Sequence, residues 1–273
     1  MTEQQRQWRL IYDYPAAGAR NMAADMALLQ AVGAGLTAPV LRLYAWSPPC
    51  LSLGYGQHVS EADRGRLAAL GWGIVRRPTG GRAILHTDEL TYSVALPADH
   101  PLAAGSVVES YRRLSAALLA ALALLGAAPR AEPKQGDDTH PEGPVCFEVP
   151  SHYEITVGGR KLVGSAQVRR SGGVLQHGSL PLTGDLARIC DGLVYGSEAE
   201  RDTSRQMVRQ RALTLAEALG QVVSWEDAAQ AVCAGFEQAL SVMLQPSEYT
   251  ASEHARTQAL EAEYADEAWT ARR

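Results

Sequence analysis

Lysine is almost missing from this 273-residue sequence: of 25 basic residues 23 are arginine, and only Lys134 and Lys161 are lysine. Where the chain merely wants positive charge it supplies arginine, so a lysine marks a position that uses what arginine lacks, a compact donor able to lose its proton. Cysteine is scarce too. Cys50, Cys146, Cys190 and Cys233 show no regular spacing and no CxxC pair, which excludes a disulfide scaffold and argues for a reducing compartment and against a zinc site. The histidines show no HxxxH or HxH spacing on a helix, so no metal site is expected. Long apolar runs are absent as well. The N-terminal MTEQQRQWRL has no apolar h-region, and the most apolar stretch, residues 114–128, is too short to span a bilayer, so the protein is expected to be cytoplasmic with no membrane partner. Neither sign of charge dominates. With 25 Lys+Arg against 30 Asp+Glu the net charge is −5, which gives no reason to expect nucleic acid as a partner, and any basic site must be local.

What is present describes a soluble globular chain, 46% hydrophobic and 20% charged. WRLIYDY (8–14) and VLRLYAW (40–46) read as strands around a helical GARNMAADMALLQAV, a β-α-β start. Residues 73–77, 83–86 and 90–96 read as short strands, and their short links predict antiparallel neighbours. Ser106 and Glu109 form a capping box that opens a helix closed by Gly126, with Tyr111, Leu114, Leu118, Leu119 and Leu122 at core-facing intervals. Residues 128–145, dense in Pro, Gly and charge, read as a long loop. HYEITV (152–157), Gly158-Gly159, residues 160–168, Ser171-Gly172 and residues 173–180 predict a three-stranded meander on two tight turns. Beyond it the pattern is helical, with caps at Thr214 and Ser224. The chain therefore reads as α+β, with one catalytic domain over residues 1–250 and a helical tail over 251–273.

Three groups of residues stand out chemically. Arg76, Arg77, Thr79, Gly80, Gly81 and Arg82 form a loop whose glycines allow close approach to a ligand and whose arginines put charge beside it; the same pattern also suits a hairpin turn with solvated arginines. Cys146 leaves the 128–145 loop in GPVCFE and reads as an accessible thiol, whereas Cys50, Cys190 and Cys233 read as buried structural ones. Lys161 opens a strand that continues through Gly164, Ser165 and Ala166, small side chains along which a ligand can lie. His86, His152 and His177 fall in strands, where core or rim histidines are common, with His152 and His177 as pocket lining. Asn21 and Asp25, one helical turn apart, read as a cap and surface pair.

Taken together, RRPTGGRAILH (76–86), DELTYSV (88–94), PVCFEVPSHYEI (144–155) and GRKLVGSAQVRRSGGVLQHGSL (159–180) resemble the lipoate and octanoate protein-transferase family, and NMAADMALL (21–29) and LSLGYGQ (51–57) fit as well. The likeness is strongest to its octanoyltransferases. It implies a mixed, largely antiparallel sheet flanked by helices, as in biotin protein ligases and class II synthetase cores. It further implies Cys146 as the acyl-accepting thiol, Lys161 as its activating partner, and an acyl site walled by residues 76–82 and by Gly164, Ser165, Ala166 and Gln167, with His86 and His177 beside it. The implied donor is octanoyl-acyl carrier protein. The implied acceptor is a lipoyl-accepting protein such as glycine cleavage H protein or the E2 lipoyl domain of a 2-oxoacid dehydrogenase, and no cofactor is implied. Such acidic partners would meet local basic segments at Arg76, Arg77, Arg169 and Arg170.

The related ATP-dependent ligases typically carry a third consecutive glycine and a histidine followed at once by aspartate. Here Arg82 follows Gly80-Gly81, Thr87 separates His86 from Asp88, and no accessory domain is expected after residue 250. An ATP-dependent lipoate or octanoate ligase, an amidotransferase between lipoyl-accepting proteins and a catalytically silent acyl-binding protein remain the alternatives.

Overall fold

A computed structural model describes residues 1–133 and 153–272. A short α1 (Glu3–Arg6) leads into β1 (Gln7–Tyr12), α2 (Gly18–Gly33) and β2 (Val40–Tyr44). β1 and β2 pair in parallel, as a β-α-β unit requires. The next strands depart from the expected run of antiparallel neighbours. β3 (Cys50–Leu53) was not legible as a strand, because four residues buried on every side carry no alternation. After α3 (Arg64–Ala69), β4 (Gly73–Arg76) joins β3 in parallel and β5 (Ile84–His86) joins it antiparallel on the other side. β6 (Glu89–Pro97) then enters a different, larger sheet.

α4 (Val107–Leu124) starts at the expected capping box: Glu109 N donates to Ser106 Oγ at 3.2 Å and Ser106 N to Glu109 Oε2 at 2.7 Å. The stretch read as a loop from 128 opens instead with an edge strand, β7 (Pro129–Pro133), antiparallel to β8 (Tyr153–Val157). β9 (Arg160–Arg170) and β10 (Gly173–Pro181) complete the expected meander. Its turns hold Gly158 and Gly159 at φ +58° and +76°, and Ser171 and Gly172 at +52° and +73°, the positive pair that two-residue hairpin turns need.

The remainder is helical in α5 (Glu198–Arg211), α6 (Leu215–Leu219) and α7 (Trp225–Leu240), with Thr214 and Ser224 as caps. The exception is β11 (Met243–Pro246), an unforeseen edge strand parallel to β1. α8 (Ala251–Ala265) and α9 (Glu267–Thr270) follow. α8 packs onto the body of the fold: Leu260 and Tyr264 are buried in the core beside α2, and Glu253 pairs with Arg9 at 2.6 Å.

Among the described residues the large sheet has the order β11-β1-β2-β6-β10-β9-β8-β7, antiparallel at every pairing from β2 onward. Alternation along each strand divides its side chains between two faces. Leu41, Leu43, Leu90, Tyr92, Val94, Leu96 and Val174 pack toward α4 and α7, while Val40, Tyr44, Ala95 and Leu175 pack toward α2 and α8. The result is the mixed, largely antiparallel α+β architecture expected. On the α2 face, polar residues of β6 and β10 take over beyond Ala95 and Leu175, and the site lies there. No helix among the described residues is long and apolar enough to cross a membrane.

Candidate active site

Where the α2 face of the large sheet meets the small sheet, the described residues line a cavity of about 140 Å³. β6 supplies Thr91; β10 supplies His177, Gly178 and Ser179; β9 supplies Lys161, Gly164, Ser165 and Ala166. Arg77, Gly80, Gly81 and Arg82 come from the end of β4 and the loop after it, and Met22, Tyr44, Trp46, Ile84 and His86 complete the wall. Strand register explains why distant residues meet: Gly164, Ser165 and Ala166 lie opposite Ser179, Gly178 and His177. A cavity of this size is comparable to one known to hold a six-carbon ring.

Lys161 reaches the wall by a local irregularity. On β8 Ile155 and Thr156 are consecutive, but their partners on β9 are Val163 and Lys161, so β9 carries one extra residue, a bulge that re-aims the side chains beside it. Lys161 is buried and its Nζ lies 2.9 Å from Glu154 Oε1. An ion pair at that distance places an ammonium against an otherwise small-residue wall.

Two buried imidazole–carboxylate pairs support the cavity. His177 Nδ1 lies 3.3 Å from Asp25 Oδ2 and its Nε2 lies 2.7 Å from Thr79 Oγ1. Burial pushes His177 below its ordinary value. Burial alone would raise the Asp25 carboxyl, but His177, Arg42 and Ser93 hold it below the usual carboxylate range. A neutral ring facing a carboxylate donates from Nδ1, so Thr79 donates its hydroxyl proton to Nε2 and the loop is tied down. Likewise His86 Nδ1 lies 2.7 Å from Glu89 Oε1, its Nε2 lies 2.8 Å from Ser52 Oγ, and its ring stacks on Trp46 at 3.9 Å. Burial works against the Glu89 carboxylate, yet His86, Ser179 and Thr91 keep it below the ordinary range. Because Thr91 and Ser179 both turn their hydroxyls toward Glu89, they present carbon to the cavity.

Several sequence expectations change. Asn21 and Asp25 are not a surface pair but fully buried: Arg42 Nη1 donates to Asp25 Oδ1 at 2.8 Å and Nη2 to Asn21 Oδ1 at 2.8 Å. Arg76 and Arg77 are buried as well and cannot receive an acidic partner. Arg77 Nη2 binds the carbonyls of Gly80 and Arg82 at 3.0 and 2.7 Å, which curls the loop around its guanidinium. Arg76 and Thr79 stand behind the wall rather than in it, and Gln167 turns to Ser110 and Gln176. Cys233 is only half-buried, 3.3 Å from the Tyr12 hydroxyl, whereas Cys50 is buried and its thiol is pushed up to about 12. Cys146 and His152 lie outside the described residues. Asp25, Glu89 and Glu154 were missed; of these only Glu89 left a local trace, three residues after His86. Among the described residues no group of three or more His, Cys, Asp or Glu side chains is placed to hold a metal ion.

A model of the lipoyl protein ligase A/B catalytic domain matches residues 17–237. The chain belongs to the lipoyl protein ligase A/B family. Within this family it is 42% identical to the octanoyltransferase LipM of Kyrpidia tusciae, over 97% of this chain and 99% of that one. It is 40% identical to the octanoyltransferase LipM of Exiguobacterium sibiricum, over 98% and 99%. Among solved structures, a bi-partite lipoate protein ligase from Thermoplasma acidophilum superposes with a TM-score of 0.82 at 23% identity, covering 97% of this chain and 96% of that one, so the fold is shared. The family motifs at 76–86 and 159–180 fall on the glycine loop and on the β9–β10 wall of the cavity.

Proposed function

We propose that this protein is an octanoyltransferase of lipoate biosynthesis. It takes octanoate from acyl carrier protein, holds it as a thioester on Cys146, and passes it to the lysine of a lipoyl-accepting protein such as glycine cleavage H protein or an E2 lipoyl domain. The observation that carries this reading is Lys161, the one lysine among the described residues, buried in the wall of a largely apolar cavity and paired with Glu154. The relatives named octanoyltransferase, at about two-fifths identity over nearly the whole chain, support the reaction class.

The steps balance without ATP. A free thiol is only a few per cent ionised at pH 7, so the Lys161 ammonium serves first to favour the Cys146 thiolate. The thiolate attacks the octanoyl carbonyl, the carbon–sulfur bond to the carrier breaks, and the departing carrier thiolate takes a proton from Lys161. The acceptor amine then attacks the acyl-enzyme, gives its proton to the now neutral Lys161, and expels the Cys146 thiolate. The pair ends as it began. About seven carbons beyond the carbonyl, each worth roughly 0.8 kcal/mol when buried, supply up to about 5 to 6 kcal/mol of donor binding.

The experiment is intact-protein mass after mixing with octanoyl carrier protein and no nucleotide. A gain of one octanoyl group on the peptide that contains Cys146, absent in Cys146→Ala, supports the reading. Product that forms only with ATP identifies a ligase instead, and donation only from another octanoylated protein an amidotransferase.

The cavity wall also predicts chain-length behaviour. Among the described residues a Cβ at Gly164 would meet only Lys161 Cε, at 3.7 Å, so a larger side chain there enters the cavity rather than the core. Gly164→Val is expected to leave the melting temperature nearly unchanged while lowering kcat/KM for octanoyl donor about 10- to 200-fold relative to a shorter acyl group, the range that one or two methylenes are worth. Gly178→Ala should behave oppositely. Its Cβ would lie 2.7 Å from both Gly164 O and Tyr92 Cε1, so it should lower stability.

A further inference from the structure

Arg76 is fully buried, and main-chain carbonyls from two segments gather around its guanidinium. Nη1 donates to Gly54 O, Tyr55 O and Gln57 O at 2.8, 3.2 and 2.6 Å. Nε and Nη2 both donate to Thr270 O, at 3.0 and 2.8 Å, across 194 positions of sequence. The bond is returned: Trp269 Nε1 donates to Arg76 O at 2.8 Å. A second tie runs beside it, because the Arg272 guanidinium lies between the rings of Trp269 and Tyr55, 3.7 and 4.1 Å from their centroids. Trp269 is itself braced edge-on against Tyr264 of α8 at 4.7 Å. Residues 269–272, which sequence reasoning left in a peripheral tail, thus grip the segment 54–57 from two directions.

That segment is in turn keyed to the cavity. Tyr55 N donates to Thr79 O at 2.8 Å, and a Cβ at Gly54 would overlap the carbonyl oxygen of Gly81. Gly80 and Gly81 line the cavity. From Thr270 the path to the wall is short: Thr270 to Arg76, Arg76 to Gly54 and Tyr55, and these to Thr79 and Gly81. A buried guanidinium must keep its N–H groups paired, so if the Thr270 carbonyl moves, Arg76 moves with it or leaves donors unsatisfied. Either response shifts residues 54–57, against which the glycine wall is packed without a side chain to absorb the change.

We infer that Trp269 and Thr270, with Arg272, are positioning residues for the acyl site, acting through Arg76 on residues 54–57 and so on the glycine wall. The inference rests on the cavity being the acyl site proposed above. Its consequence is specific. The C-terminal segment sets the width of the slot without touching the acyl chain, so loosening it should weaken and broaden donor selection more than it slows chemistry.

The test uses the full chain with Trp269→Phe, which removes the indole N–H and shortens the ring but keeps an aromatic face for Arg272, and Trp269→Ala, which removes that face as well. Amide hydrogen exchange is read over residues 54–57 and 79–82, with α4 and α7 as internal controls. Steady-state transfer is measured with octanoyl and dodecanoyl carrier protein. Exchange in the two loops should quicken about 5-fold or more in Trp269→Ala and less in Trp269→Phe, with the controls unchanged. Donor KM should rise about 5- to 20-fold with kcat within about 2-fold, and the octanoyl preference should fall about 5-fold. Unchanged exchange at 79–82, or quickening that is equal in α4 and α7, overturns the inference. So does a loss confined to kcat. If the unaltered protein transfers nothing, the acyl-transfer reading fails, and the exchange data still decide whether the segment positions the wall.

Discussion

Replacing Lys161 with alanine is expected to cut kcat/KM for octanoyl transfer by about 10³-fold, within the range that a positioned proton-transfer group supplies. The fold should survive. Residue 161 is held by its backbone, which bridges to Ala212 and accepts from Leu213 N at 3.1 Å, and neither contact uses the side chain. The partner left behind, Glu154, has a side chain 19% exposed, so water can take over its solvation. Lys161→Arg separates the two parts of the proposed role. Arginine keeps the positive charge that favours a thiolate, but it does not give up a proton, so it can neither protonate the departing carrier thiol nor accept from the incoming amine. The expected loss is therefore nearly as large as with alanine. Glu154→Gln, which leaves the amine in place and removes only the carboxylate charge, should cost about 10-fold. Single-turnover acyl transfer from octanoyl carrier protein, with thermal melting as the control for folding, distinguishes these outcomes. Substantial activity in Lys161→Arg would mean that charge alone suffices and that the proton shuttle is wrong.

How legible the molecule was depends on how local each cause is. The meander from Tyr153 to Pro181 could be read directly, because two positive-φ turns and strand alternation are written within a few residues of one another. β3 and β11 could not: each is four residues long, the first buried throughout and the second ending in Pro246 at a sheet edge. At the site, the small residues from Gly164 to Ala166 and the glycines 80 and 81 mark a wall because their lack of bulk is itself the signal. The arginines mislead for a physical reason. Arg76 and Arg77 lie amid exposed-looking sequence, yet Arg76 pairs buried carbonyls of the segment 54–57 and Arg77 ties the carbonyls of Gly80 and Arg82 inward. Asp25 was illegible because the groups that make it functional come from elsewhere: Arg42, Ser93 and His177 stand 17, 68 and 152 positions away. In a single sequence it is one acidic residue on a helix of alanines and methionines.

That buried carboxylate should dominate the stability of the site. Asp25 Oδ1 accepts from Arg42 Nη1 at 2.8 Å and from Ser93 Oγ at 2.7 Å, while Oδ2 accepts from Tyr44 at 3.0 Å and faces His177. Asp25→Ala strips four donors of one acceptor and leaves the fully buried Arg42 with part of its charge uncompensated. Breaking a buried pair from one side costs about 3 to 5 kcal/mol. Arg42 keeps Asp13 at 2.9 Å and Asn21 at 2.8 Å, so the lower end of that range applies, on the order of a 6 to 12 °C fall in melting temperature for a chain of this size. Asp25→Asn should lose less. Its oxygen can still serve Arg42 and Ser93, and its NH₂ can face His177 if the imidazole exchanges tautomers, so that Nδ1 accepts and Nε2–H donates to Thr79. The His177–Thr79 link then survives with its direction reversed, at a cost of about 1 to 3 kcal/mol for the lost charge and for the Tyr44 hydroxyl, which loses its acceptor at Oδ2. Thermal melting of the two variants beside Asp13→Ala orders these terms. If Asp25→Ala melts no lower than Asp25→Asn, the carboxylate is not what holds Arg42 and His177 in place. The support that His177 gives the glycine loop through Thr79 would then fall away, leaving Arg77 and the packing of residues 54–57 to hold it.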